Sequence, residues 1–256
     1  MGFTRWLALG GFTLAGVVQA CASDDDGSEQ VPYSEDAANL PDVHTAADAG
    51  PDVGGACEPG FITQVLGPST DEQGNTAPLY GSAAGFGQDR YPDVIVGPPR
   101  GETTHAGSLD VLSLGKGGEI IVGFEHEGIT DKPGADFIVF ENVLYELGDE
   151  TKPYAELAEV SVSSDMQTWH TFPCQRDAYP FSGCAGWHAT LSHPDNGISP
   201  FDPDAAGGEA FDLAELGVTE VRAVRLRDLD NAGFGGTTAG FDLDAIAVVH
   251  PNCPTL

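Results

Sequence analysis

Three aspartates near the end of the chain are the strongest candidates for chemistry. Asp228, Asp242 and Asp244 lie on the last two predicted strands, Val218–Leu229 and Phe241–Val249. Side chains alternate between the faces of a strand, so a hairpin with Asp228 opposite Asp242 would place all three on one face. Like charges this close raise one another's pKa or bind a cation. Calcium prefers such hard oxygen ligands, so the pattern favours a calcium site.

Asp136 and Glu141 are the next candidate calcium ligands. They flank the apolar run Phe137–Phe140, which predicts a buried central strand. Burying unpaired carboxylates is costly, so they either reach solvent or hold a cation. Asn142 and Glu156 are further candidates of this kind. The alternative is that these carboxylates are separately solvated or hydrogen-bonded, with Glu141 and Asn142 capping the strand and its turn.

Aromatic residues in the long loop Pro173–Glu209 suggest a second type of site. Trp187 and Tyr179 could form a platform on which the C–H faces of a sugar pack. Trp169 is expected to have a packing role instead. Three histidines lack the spacing of transition-metal ligands and are interpreted as solvated or hydrogen-bonding groups: His170, His188 and His193.

Signatures of catalysis are weak. The sequence contains neither GxSxG nor HExxH, and no spacing singles out a glycosidase pair among its many carboxylates. A catalytic site is therefore not predicted.

Four cysteines follow Cys21, which suggests two disulfide bonds in an exported protein. Three pairings are possible. Cys174 and Cys184 flank one local loop, and Cys57 and Cys253 stand at the two edges of the domain, so these two pairs are favoured over a zinc site.

The first 20 residues predict a secretory signal. Arg5 precedes an uncharged apolar run from Trp6 to Ala20 that is too short for a permanent membrane span. Val18–Cys21 resembles the lipobox of bacterial lipoproteins, in which cleavage precedes a cysteine that then carries lipid. An ordinary secretory peptide with a chance cysteine is the alternative.

Residues 21–56 are predicted to be a lipidated cysteine followed by a disordered linker. Residues 22–56 contain nine acidic residues and neither lysine nor arginine, with too little apolar surface to fold. By resemblance to the lipoproteins of Gram-negative bacteria, Ala22 rather than Asp at this position implies the outer membrane instead of retention in the inner membrane. Cys21 would then anchor the protein to the membrane and the linker would lift the domain away from it.

The composition predicts an all-β, antiparallel, jelly-roll-like sandwich with long ordered loops in residues 57–256. Glycine and proline are abundant and helical periodicity is nearly absent. The formal net charge of −30 excludes nucleic acid as a partner and is compatible with divalent cations. Further predicted strands are Phe61–Leu66, Val94–Val96, Ser108–Leu114, Glu119–Phe124, Tyr154–Ser163 and Thr168–Phe172, and Phe211–Leu216 is predicted to be one helical turn.

Six motifs, in this order, resemble a family of bacterial cell-surface β-sandwich proteins, many of them exported as lipoproteins. They are FGQDRYPDVIVGPPRG, GSLDVLSLGKGGEI, GADFIVFEN, AELAEVSVSSD, FDLAELG and GFDLDAIAVVH. The resemblance covers most of residues 60–250. It implies a jelly-roll-like sandwich and a surface location, without an established reaction.

Three functions are compatible with these features. The leading hypothesis is a surface-tethered, non-catalytic domain, stabilised by calcium, that binds carbohydrate or another envelope polymer. The alternatives are a calcium-dependent polysaccharide hydrolase or lyase, and a purely structural envelope lipoprotein.

Overall fold

The computed structural model describes residues 57–101, 107–124, 128–231 and 239–253. The predicted signal peptide, Cys21 and the acidic linker lie outside these residues. The described part contains fourteen strands and four short 3₁₀ turns. The strands are β1 (Gly60–Gly67), β2 (Ser69–Thr70), β3 (Thr76–Ala77), β4 (Leu112–Ser113), β5 (Glu119–Phe124), β6 (Ile129–Thr130), β7 (Phe137–Glu141), β8 (Ala158–Ser163), β9 (His170–Thr171), β10 (Cys184–Ala185), β11 (Glu209–Phe211), β12 (Glu220–Val221), β13 (Ala223–Asp228) and β14 (Asp242–Val248). The 3₁₀ turns are Gln88–Arg90, Asp93–Ile95, Glu146–Gly148 and Leu213–Leu216.

Ten of these strands form one curled antiparallel sheet, which confirms the all-β, sandwich-like prediction. The main order is β10–β8–β13–β5–β1–β14–β7–β11, with β4 beside β14 and β9 beside β8. We call β14, β7, β11 and β4 the front layer, and β5, β13, β8, β10 and β9 the back layer. Two further pairs, β6–β12 and β2–β3, lie outside this sheet.

Strand β1 joins the two layers. Its first residues, Gly60 and Phe61, pair with β14, and the residues from Ile62 to Gly67 pair with β5. The register shifts between Ile62 and Gln64, and such irregularities let a strand bend sharply. The sheet therefore closes over its own apolar face.

The main core lies between the two layers. Alternate residues of β5 and β13 from the back layer (Ile120, Val122, Val224, Leu226) pack in one cluster with Phe137, Val139, Ile246 and Val248 from the front layer. This alternation follows from the period of two in a strand.

The front layer is also buried on its outer face. Ile138, Phe140, Ala245 and Ala247 form a second cluster with Ala206 of the long loop. Phe201 of the same loop packs on Phe61, with ring centroids 4.9 Å apart. Strand β7 and strand β14 are thus apolar on both faces because a loop, rather than solvent, covers their outer side.

Several local predictions agree with the structure. Strand β7 contains the predicted apolar run Phe137–Phe140 and extends to Glu141, and it pairs with β14. The predicted strands Tyr154–Ser163 and Thr168–Phe172 contain β8 and β9, which pair with each other. The predicted helical turn is the 3₁₀ turn Leu213–Leu216, whose first turn is capped by the Asp212 carboxylate accepting from Ala214 N.

Other local predictions were wrong. Strands β13 and β14 do not form a hairpin, because β13 pairs with β5 and β8 while β14 pairs with β1, β7 and β4. The predicted strand Ser108–Leu114 is reduced to the two residues of β4, which pairs with β14 and not with β5, although a turn is present between them where Gly118 N donates to Gly115 O. Residues 94 and 95 of the segment predicted as a strand at 94–96 instead lie in the 3₁₀ turn Asp93–Ile95, and Val96 follows the turn in an extended conformation.

Both predicted disulfide bonds are present. Cys57 pairs with Cys253, with Cα atoms 5.7 Å apart, and Cys174 pairs with Cys184, with Cα atoms 4.5 Å apart. The first bond closes the ends of the domain and the second closes a small loop beside β10.

The two disulfide bonds should differ in their contribution to stability. Replacing Cys57 and Cys253 with alanine should lower the free energy of unfolding by about 5 kcal/mol, because the bond spans 196 residues. Replacing Cys174 and Cys184 should cost about 3 kcal/mol, because that bond spans 10 residues. Urea denaturation of both double-alanine variants measures the difference. An equal or larger cost for the short loop would contradict this ranking.

Candidate functional site

Three carboxylates from separate segments converge where the front and back layers meet. Glu141 ends β7, Asp242 begins β14, and Glu156 lies just before β8. Glu141 and Asp242 are brought together by the pairing of Glu141 with Leu243. One oxygen of each carboxylate lies within 4.8 Å of the others. We call Glu141, Glu156 and Asp242 the acidic cluster.

The acidic cluster is withdrawn from solvent. Glu141 is 2 % exposed and Asp242 is 8 % exposed, while Glu156 is half-buried. Burial, followed by the charge of Asp242, raises the pKa of Glu141 well above its ordinary value. Burial also raises the pKa of Glu156 to about 7 and that of Asp242 to about 6. The protein therefore concentrates negative charge where water stabilises it poorly.

Hydrogen bonds satisfy only part of the acidic cluster. Glu141 Oε1 accepts from Asp242 N at 3.2 Å, and Glu156 Oε1 accepts from Gly240 N at 2.9 Å. Among the described residues, five buried side-chain polar atoms have no hydrogen-bond partner. One of them, Arg225 Nε, belongs to a residue outside the acidic cluster and its neighbours. The other four are Ser113 Oγ, Glu141 Oε2, Asn142 Oδ1 and Asp242 Oδ1.

These four oxygens belong to adjacent positions. Ser113 on β4 is the register partner of Asp242, and Asn142 directly follows Glu141. Lys116 is the cation whose charge acts on Glu156, but its ammonium group is paired with Asp230 at 3.7 Å. An arrangement of unpartnered oxygens with excess negative charge can take up protons or a hard cation.

Two other predicted calcium ligands, Asp228 and Asp244, accept hydrogen bonds from backbone N–H groups. Asp228 Oδ1 accepts from Gly117 N at 2.6 Å and Asp230 N at 2.8 Å, and its Oδ2 accepts from Phe241 N at 2.9 Å. Both oxygens of Asp244 accept from Arg100 N at 2.9 Å. Each carboxylate fixes a loop to the sheet.

Asp136 lies in a different place from Glu141. The two residues stand at opposite ends of β7, about 16 Å apart at the rise of an extended strand, so the expectation that they share one ion was wrong. Asp136 accepts from Lys132 N at 3.0 Å and Leu213 N at 2.8 Å, and it contacts His250 Nδ1 at 2.8 Å. It forms a second acidic group with Asp131 and Asp212, in which no buried oxygen is without a partner.

Of the five predicted ligands, the structure brings Glu141 and Asp242 into one cluster and adds Glu156. The sequence had indicated Glu156 as a weaker candidate, within a predicted strand from Tyr154. In the structure β8 starts at Ala158, and Leu157 N instead donates to Asn231 Oδ1 at 2.8 Å. The side chain of Glu156 is thereby placed by a loop, which strand periodicity does not describe.

The predicted aromatic residues lie together in the long loop. Trp187 makes edge-to-face contacts with Tyr179, at 5.8 Å, and with Phe181, at 6.3 Å, and His188 lies against its ring at 3.6 Å. Tyr179 is 44 % exposed. Beside Trp187 is a cavity of about 320 Å³ that we call the aromatic cleft. Its lining includes Gly183, Trp187, His188, Glu209, Phe211 and Glu215.

Glu209 on β11 holds the wall of the aromatic cleft. Its buried carboxylate accepts from the backbone N–H groups of Gly186, Trp187 and His188 at 3.0, 2.7 and 2.6 Å. Burial raises the pKa of Glu209 to about 7. Burial also lowers the pKa of His188. Trp169 lies elsewhere, beneath the guanidinium of Arg225 at 4.4 Å, which agrees with a packing role.

Comparisons with protein-family models, curated proteins and solved structures found no match for this chain. In the part of the chain that the structure describes, no helix is long and apolar enough to cross a bilayer. The geometry of the acidic cluster and the aromatic cleft therefore carries the functional argument.

Stability in metal-free buffer should fall as pH rises from about 4.5 to about 7. The raised pKa values of Glu141, Glu156, Asp242, Asp244 and Glu209 mean that the folded protein holds more protons than the unfolded chain in this window. These carboxyl groups contribute their full stabilisation at pH values below their pKa in the unfolded chain. They lose it as pH rises through their pKa in the folded protein. Urea denaturation across the window should show a loss on the order of a few kcal/mol. Stability that increased through the same window would contradict the assignment.

Proposed function

We propose that this protein is a non-catalytic binding domain, tethered to the outer membrane or cell surface through Cys21 and stabilised by calcium. Its ligand is carbohydrate or another envelope polymer, bound at the aromatic cleft. The observation that carries the ligand class is the edge-to-face packing of the exposed Tyr179 on Trp187, which lines a cavity of about 320 Å³. This volume is at the lower end for small-molecule pockets, which suits one part of a longer polymer.

The chemistry of the aromatic cleft supports sugar binding. Aromatic rings supply apolar area at little entropic cost, and the C–H faces of sugars pack on them. Glu215, exposed at the edge of the cleft, offers acceptor oxygens to sugar hydroxyl groups. The net charge of −30 disfavours anionic polymers, so neutral glycans are the preferred ligands.

The non-catalytic assignment is supported by the bonding of Glu209. Both of its oxygens already accept backbone N–H groups, which leaves it a structural role in the cleft wall. A general acid or base in a hydrolase or lyase must be free to exchange a proton with the substrate, and Glu209, the buried carboxylate of the cleft, is held by these bonds instead.

Binding to a panel of neutral glycans tests the proposal. Trp187→Ala in the full-length protein should weaken binding about tenfold, the factor that 1.4 kcal/mol represents, because the main packing surface is lost. Trp169→Ala is the matched control, since it removes the same side chain outside the cleft and should leave affinity unchanged.

Two results would count against this function. Equal losses in the two tryptophan variants would show that the effect is not local to the cleft. Shortened glycan products after incubation with wild-type protein would favour the polysaccharide hydrolase or lyase.

The anchor makes a separate prediction. Cys21→Ser removes the thiol that accepts lipid, so the protein should leave the membrane fraction or remain unprocessed. Ser28→Ala in the predicted linker is the control and should still partition with membranes. Fractionation followed by mass analysis of the N-terminus measures both effects, and unchanged partitioning of the Cys21→Ser variant would rule out the lipid anchor.

A further inference from the structure

The acidic cluster has features that the other buried carboxylates of the described residues lack. Asp136, Asp228, Asp244 and Glu209 each accept backbone N–H groups through both oxygens. Glu141 and Asp242, by contrast, each keep a buried oxygen without a partner. An unpaired buried charge costs several kcal/mol, so these oxygens must be neutralised either by protons or by a cation that the protein itself does not supply.

The unpartnered oxygens indicate which cation that is. Carboxylate oxygens of three side chains meet in one place, and the side chains of Ser113 and Asn142, each with an unpartnered oxygen, lie within hydrogen-bonding reach of one of them, Asp242. The set contains neither sulfur nor imidazole, which zinc and copper prefer. Its members come from strand ends and loops with irregular spacing, which suits the flexible coordination of calcium better than the strict octahedron of magnesium.

We propose that Glu141, Glu156 and Asp242 bind one calcium ion, with the side-chain oxygens of Asn142 and Ser113 as further ligands. The ion neutralises the charge of the cluster and supplies the missing partners of its oxygens. This proposal rests on the calcium part of the proposed function and is independent of the identity of the glycan.

The position of the ion also links it to the aromatic cleft. Thr190 Oγ1 donates to Glu141 O at 2.8 Å, and the backbone of Gly186 lies against Glu156 O so closely that an added Cβ would come within 2.3 Å of it. Residues 186–190 therefore rest on the two glutamates of the cluster, while Trp187 and His188 on the same segment line the cleft. Calcium fixes the glutamates and thereby the cleft wall.

Calorimetric titration of calcium into chelator-treated, full-length protein tests the site. Wild type should bind one ion, and the melting temperature should rise by roughly 5–10 °C at a hundredfold excess over Kd. Glu156→Gln should weaken binding at least about tenfold, because it removes one charged ligand. Glu156 is only half-buried, so this substitution disturbs the fold less than one at Glu141 or Asp242. Glu72→Gln removes the same charge at an exposed position and should bind as wild type does.

A second variant guards against a failure of Glu156→Gln to fold. Asn142→Ala removes a neutral oxygen and should weaken calcium binding severalfold without changing the net charge. The absence of both heat and a melting shift at millimolar calcium in wild type would overturn the proposal. An affinity unchanged in Glu156→Gln would overturn the assigned ligands.

Glycan binding with and without calcium separates this inference from the proposed function. Calcium binding without any glycan binding leaves the metal site standing and removes the carbohydrate function. Glycan binding that is indifferent to calcium, in a protein that binds calcium, would overturn the link between the ion and the cleft wall.

Discussion

Buried carboxylates that accept backbone N–H groups are the interaction on which the rest of this fold depends. Most of the described chain lies in loops or very short strands, so many backbone N–H groups lack a partner within a strand ladder. Asp228 supplies acceptors for Gly117 and Phe241, and Asp244 does so for Arg100. Each bond to a charged acceptor is stronger than an ordinary backbone bond, and the buried N–H would be costly without it.

The same residue type therefore has two roles that only the pattern of partners distinguishes. Asp136 and Glu209 are saturated with donors and hold loops in place. Glu141 and Asp242 are equally buried but retain oxygens without donors. This difference, rather than the presence of acidic residues, is the reason for proposing a cation at the acidic cluster. The net charge of −30 alone would have suggested many such places.

The predictable parts of the fold were those encoded by local pattern. The apolar run from Phe137 to Phe140 defines β7, and the positions of Cys57 and Cys253 at the edges of the domain indicate their pairing. The partners of β13 and β14 could not be obtained this way. The two strands are consecutive in the chain and resemble a hairpin in sequence. They belong to different layers because each pairs with strands that are distant in sequence.

The sequence indicates that the candidate site consists of carboxylates, but it does not indicate which carboxylates come together. The end of a buried strand indicates Glu141, whereas Asp242 is predicted from a hairpin that does not form. The role of Asp244 depends on Arg100, 144 residues away in sequence. Asp228 is likewise engaged by Gly117, 111 residues away. Spacing along the chain carries no information about such donors. Glu156 acquires its place from a loop conformation that alternation does not encode.

The bond between Cys57 and Cys253 has a mechanical consequence if the domain is tethered through Cys21 as proposed. Strand β1 begins three residues after Cys57 and pairs with strands of both layers, so a pull on the preceding chain would otherwise peel β1 from the sheet and open the core. The disulfide passes part of that load directly to the segment after β14. The force then acts on β1 and on the segment after β14 together. The hydrogen bonds between several strands must therefore break before the domain unfolds.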